Sequence, residues 1–143
     1  MAKRQWSLGT IMKVIIAGSR GIDSMPMLLE AIAESGFQIT EVVSGGARGV
    51  DTLGELYALE RGIPLRQFKA AWDILGKGAG YMRNAEMAVY GEALIALWDG
   101  QSKGTAHMIE KARQGGLPTY IKFVKETLNL RQLLDKGSPE VLS

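Results

Sequence analysis

The sequence of 143 residues contains no cysteine and one histidine, His107. The first absence removes disulfide frameworks, thiol nucleophiles and thiolate metal sites, and the second removes histidine-rich metal centres. A charge excess is missing too: 17 basic against 15 acidic residues leave a net charge of +2. That is too little to announce a polyanionic partner, so any anion site must come from local placement of charge. No apolar run approaches the length of about 20 residues that spans a bilayer. The opening stretch, MAKRQWSLGTIM, is basic at its front but lacks a sustained apolar core and a small-residue cleavage site, so it does not read as a signal peptide. Residues 1–12 are expected to be an N-terminal extension and residues 13–143 one domain, with the cytoplasm as the default compartment. No metal, cofactor or membrane partner is expected.

What remains is an alternating pattern. Residues 13–17, Lys-Val-Ile-Ile-Ala, form a short continuous apolar run, the mark of a strand covered on both faces. Asp23 or Ser24 caps a helix carrying Met27, Leu28, Ala31 and Ile32, which ends near Gly36. Residues 39–43 are a second strand. Val50, Leu53, Leu56, Tyr57 and Leu59 give a helical stripe over 50–60, stopped by Gly62. Residues 64–68 read as a polar edge strand. A glycine-rich loop, 76–80, leads into a helix over 81–90; 93–98 is a strand, 105–114 a helix closed by Gly115-Gly116, and 118–121 a fifth strand. Leu128, Leu133 and Leu134 predict one more amphipathic helix over 125–135. Strands joined by helical crossovers specify an α/β fold: a Rossmann-like three-layer sandwich with a five-stranded, mostly parallel sheet and helices on both faces.

In such sheets ligands sit at the carboxyl ends of the strands, where the strand order reverses. The residues there are of one kind. Gly18, Ser19 and Arg20 follow the first strand; Ser44, Gly45, Gly46, Arg48, Gly49 and Asp51 follow the second; Trp72, Lys77, Arg83 and Asn84 follow the third; Asp99, Ser102, Gly104 and Thr105 follow the fourth. Free N–H groups at helix starts, the positive helix end and arginines together suit an anion. Neither GSRGID nor GGARGVDT matches a dinucleotide or P-loop fingerprint.

Taken as a set, VIIAGSR, VVSGGARGVD, GKGAGYMRNAEM, ALIALWDGQSKGTAHMI and GLPTYI resemble the SLOG superfamily. That superfamily gathers the DNA-processing protein DprA (Smf) and the LOG phosphoribohydrolases, and the resemblance is strongest to its small YspA-like branch of bacteria and phages. It implies a nucleotide-derived ligand at the strand ends, a phosphate loop over 44–51, a second glycine motif at Gly104-Thr105, the Arg-Asn pair of DprA-like members at Arg83-Asn84, and a homodimer. Two positions depart from the LOG pattern: its catalytic glutamate is replaced by Met108, and its Pro-Gly-Gly by Asp99-Gly100-Gln101.

Three functions follow. The first is binding, or sensing, of a nucleotide or nucleotide-derived small molecule. The second is cleavage of a nucleotide N-glycosidic bond, which needs a carboxylate near the ribose; Asp99 is the candidate, with Asp51, Asp73 and Glu86 behind it. DprA-like binding of single-stranded DNA ranks last, since no basic excess is present.

Overall fold

The computed structural model describes residues 12–125. Residues 1–11 and the helix expected over 125–135, beyond Lys125, lie outside the described residues. The elements run β1 (Met12–Gly18), α1 (Met25–Ser35), β2 (Ile39–Ser44), α2 (Val50–Arg61), β3 (Leu65–Gln67), α3 (Trp72–Leu75), a 3-10 turn (Gly76–Gly78), α4 (Ala79–Tyr90), β4 (Ala93–Trp98), α5 (Lys103–Gln114) and β5 (Thr119–Phe123). All strand pairs are parallel, in the order β3-β2-β1-β4-β5. The chain therefore moves outward from β1 to β3, crosses back and moves outward again through β4 to β5. The order reverses between β1 and β4.

Alternation along each strand assigns the two faces. Val14, Ile16, Val42, Ile95 and Leu97 pack with Leu28 and Ala31 of α1 and Leu53 and Tyr57 of α2. Ile15, Ala17, Val43, Leu94 and Ala96 pack with Met87 of α4 and Met108, Ile109 and Ala112 of α5. Strand β4, and β1 apart from Lys13 near its start, are apolar because both their faces are covered. Edge strand β3 is exposed along its length.

Boundaries follow local chemistry. Ser24 Oγ accepts from Met27 N–H at the start of α1, and Gly36 and Gly62 close α1 and α2 in the left-handed region. Three expectations change. The stretch 76–80 is not a loop: α3 and the 3-10 turn carry helical backbone into α4, two residues earlier than expected. Leu56 and Leu59 belong to the exposed side of α2, because an inner face made of Leu53, Gly54, Tyr57 and Ala58 already covers the sheet. Strand β5 runs on to Phe123, held in register by Trp98 opposite.

Candidate functional site

The reversal between β1 and β4 opens a cavity of about 480 Å³ at their carboxyl ends. Its first wall is the turn after β1. Gly18 is required there by its neighbours: a Cβ would lie 2.2 Å from Leu97 O. Ser19 is buried, donates its N–H to Leu97 O (3.1 Å) and accepts Asp99 N–H on Oγ (3.1 Å), tying the β1 and β4 turns together. Arg20 next to it is exposed and lines the cavity.

The glycine-rich turn after β2 forms the second wall, largely by packing on itself and its neighbours. Gly49 has φ 78°, and a Cβ on it would lie 2.6 Å from the carbonyl oxygens of Ser19 and Arg20. Ser44 is buried; its Oγ donates to Glu55 Oε2 (2.7 Å) and accepts Gly46 N–H (3.1 Å). Asp51, in the first turn of α2, accepts Ala47 N–H (3.1 Å). Burial pushes the Asp51 carboxyl up to about 6, against the pull of that N–H and of Arg83.

Arg83 and Asn84 supply the third wall from α4. Arg83 Nη1 donates to Gly45 O (2.6 Å) and its Nε to Asn84 Oδ1 (3.2 Å). Its guanidinium lies close enough to Arg20 and Asp51 to feel both charges, and burial lowers its pKa. Asn84 is buried, and its Nδ2 reaches Gly104 O (3.2 Å) and His107 Nδ1 (3.1 Å). With Asn84 Oδ1 taken by Arg83, its Nδ2 is the donor, so His107 Nδ1 is unprotonated. Burial, with Lys111 nearby, lowers the His107 pKa and favours this neutral ring, which stacks on Tyr81 at 4.3 Å. A chain of hydrogen bonds thus runs from α5 through α4 to the β2 turn and holds the guanidinium in place.

The fourth wall is the start of α5. Ser102 caps it, accepting Thr105 N–H (3.4 Å), and its Oγ meets Thr105 Oγ1 (3.1 Å). Gly104 has open space where a Cβ would point. The positive end of this 12-residue helix lies at the cavity, which Ser102, Gly104 and Thr105 line. Asp99 Oδ1 accepts from both Gln101 N–H and Ser102 N–H (2.8 Å each), and these donors hold the carboxyl below the ordinary range. The floor is apolar: Ala17, Met87 and Met108.

The sequence profile of the YspA, cpYpsA-related SLOG family matches residues 12–74. The Gene 61 protein of Mycobacterium phage D29 is 33% identical over 116 residues, a match covering 74% of this chain and 92% of the phage protein. The chain belongs to this SLOG family. No solved structure matches it significantly.

Within this SLOG chain the expected site residues divide. Gly18, Ser19, Arg20 and Asp51 line the cavity from β1 and α2, Arg83 and Asn84 from α4, and Asp99, Ser102, Gly104 and Thr105 from the β4 side. Gly45, Gly46 and Trp72 line a neighbouring cavity of about 350 Å³ with Gln67 and Lys69. Ser44 lies beneath the turn, Gly49 serves chain packing, and Arg48 is exposed outside both linings. Lys77 belongs to the 3-10 turn, and its side chain lies outside the described residues. Asp73 and Glu86, the reserve carboxylates, are exposed and line neither cavity. His107 is not among the expected site residues; its bond to Asn84 joins α5 to α4 across 23 positions, and no local pattern announces that. Among the described residues, no cluster of His, Asp and Glu could hold a metal ion, and no helix is long and apolar enough to cross a membrane.

Proposed function

We propose that this protein binds a nucleotide or nucleotide-derived small molecule, with its phosphate in the cavity between β1 and β4. The observation that carries this reading is the pairing of two arginines with a helix start: Arg20 and Arg83 line the same space as Gly104 and Thr105 at the head of α5. Arg83 is partly buried beside Asp51, and Arg20 brings a second positive charge to the same space. An anion in that space gains charge-assisted hydrogen bonds from both. Ser19, Asn84 and Thr105 give the cavity buried polar walls, and the volume falls within the range of small-molecule sites.

Glycosidic cleavage is the second reading, favoured by one observation: Asp51 is a cavity-lining carboxyl with a pKa near neutrality, as a general acid or base requires. Asp99 suits it less, because its two backbone donors hold the carboxyl below the ordinary range. A panel of nucleoside 5′-phosphates, scored by calorimetric titration and by chromatography for free base on the same samples, separates the readings. Binding without base release is expected. Release abolished by Asp51→Asn would replace binding by catalysis, and failure of every phosphorylated compound to bind, with tight binding of single-stranded DNA, would overturn both.

The protein also pairs with a second copy, in this reading, through α4. On α4, Met87 is buried and Tyr90 is half-buried, its hydroxyl donating to Glu41, while Tyr81, Met82 and Val89 are exposed. A dimeric mass in light scattering at micromolar concentration is the expected result, and a monomeric mass removes this part.

A further inference from the structure

The smaller cavity lies beyond the Arg83 wall, outside the space that Arg20, Arg83 and the start of α5 share. We propose that it is a stacking subsite for a planar ring of the same ligand, with the Trp72 indole as its platform. This rests on the reading of the main cavity as a phosphate site.

Trp72 begins α3, a four-residue helix with no buried side chain, so the indole covers no core. It is 51% exposed. Its position is nonetheless defined. A Cβ on Gly80 would lie 3.2 Å from the far corner of the indole and 3.7 Å from Arg83 Nη2. The ring and the guanidinium are therefore neighbours across a residue that has no side chain to separate them. The partition between the cavities is equally thin. Gly45 lines the smaller cavity while its carbonyl accepts from Arg83, which lines the larger, and a Cβ on Gly45 would lie 2.7 Å from Arg83 Nη1. Gly46, at φ 75°, keeps the floor of the smaller cavity free of side chain beside Gln67.

The other residues suit the edge of a heterocycle. Gln67 Nε2 donates to Glu55 Oε2 (2.8 Å), which fixes the plane of its carboxamide at the cavity wall. Lys69 adds a cation at the rim. Trp98, the other described tryptophan, is occupied: its indole N–H donates to Ser102 O (3.0 Å) and its ring packs on Phe123 at 5.5 Å. A ligand with a phosphate on Arg83 and a flat ring on Trp72 uses both cavities; a sugar phosphate without a base uses one. Because every nucleobase has a π-face, the platform selects for the presence of a ring more than for its identity.

Calorimetric titration of ribose 5-phosphate, AMP and GMP against the wild-type chain and the Trp72→Ala and Trp72→Phe variants tests this. AMP and GMP are expected to bind about tenfold to a hundredfold more tightly than ribose 5-phosphate, the range of one base–aromatic stack. Trp72→Ala should erase that ratio and leave ribose 5-phosphate binding unchanged, while Trp72→Phe keeps part of it. AMP should also change the tryptophan emission of the wild type and not that of Trp72→Phe. Equal binding of all three compounds by the wild type overturns the subsite alone. So does a ratio that survives Trp72→Ala, or a loss of dimer mass in that variant with the ratio intact, which would make the indole a contact between copies. If none of the three compounds binds, the phosphate reading fails and the subsite with it.

Discussion

Two glycine-rich turns meet at the carboxyl edge of the sheet, and they use glycine for opposite purposes. After β2, Gly45 and Gly49 are hemmed in by the protein: added Cβ atoms would meet Arg83 and the carbonyls of Ser19 and Arg20 at 2.6–2.7 Å. After β4, Gly100 and Gly104 have nothing within 4 Å. The acids differ in the same sense. Asp51 is buried under the first turn with a raised pKa, and Asp99 sits at the surface of the second with a lowered one. A glycine cluster thus records close approach without saying what approaches. In the β2 turn it is the chain itself; in the β4 turn nothing in the chain closes on the glycines.

The comparison breaks most sharply at Gly49 and Gly104. Gly49→Ala forces a side chain into a positive-φ position against two carbonyls, and a loss of about 3 kcal/mol or more is expected. Differential scanning calorimetry should show this as a Tm lower by roughly 10 °C. Gly104→Ala improves helix propensity, so its Tm should match or exceed wild type. A methyl group there projects into the cavity, so nucleotide affinity should fall. A Gly49→Ala protein that melts like wild type, or a Gly104→Ala protein that binds like it, would cancel the contrast.

The two acids give the next largest effect, through pH. The Asp51 pKa is raised from 3.8 to about 6 in the folded chain. Its contribution to stability is therefore complete below about pH 4 and is lost as pH climbs through about 6, a change on the order of 3 kcal/mol. Asp99 has the opposite sign: its folded pKa is lowered, so its contribution is present above the unfolded value and lost as pH falls through the folded one. Urea titrations between pH 3 and 8 should show that Asp51→Asn flattens the decline from pH 4 to 6 while Asp99→Asn leaves it intact. An unchanged decline in Asp51→Asn would mean that this carboxyl is not the group responsible.

The smallest difference concerns the arginines. Arg83→Ala should weaken phosphate-ligand binding about tenfold to a hundredfold, the loss of a charge-assisted hydrogen bond. Arg48→Ala should change it by about threefold at most, as expected of an exposed charge. Equal losses in titration calorimetry would return Arg48, the arginine inside the glycine motif, to the site.

Those arginines show how far the chain could be read directly. Ten of the expected residues do line one cavity, because a strand's carboxyl end and the following helix start are adjacent in sequence, so Ser19-Arg20 and Ser102 to Thr105 reach the edge of the sheet by local geometry alone. Arg48 shares that address, yet its side chain points away. The direction of a side chain in a turn depends on φ and ψ at its neighbours, here on Gly46 and Gly49 at positive φ, and no spacing rule encodes that.

The sequence by itself determined the order of strands and helices along the chain and the edge of the sheet where the candidate site lies, because alternation and capping are local; the α2 stripe it drew still took in Leu56 and Leu59, which are exposed. It also carried the family motifs. Only the tertiary structure decided which glycines are closed in by protein, that Met108 and Met87 floor the cavity, and that His107 holds Asn84, which holds Arg83 against Gly45. Those outcomes depend on contacts between residues 20 to 80 positions apart, such as the Asp99 N–H on Ser19 Oγ. Such contacts exist only once the crossover from β3 to β4 has brought the two halves of the sheet together.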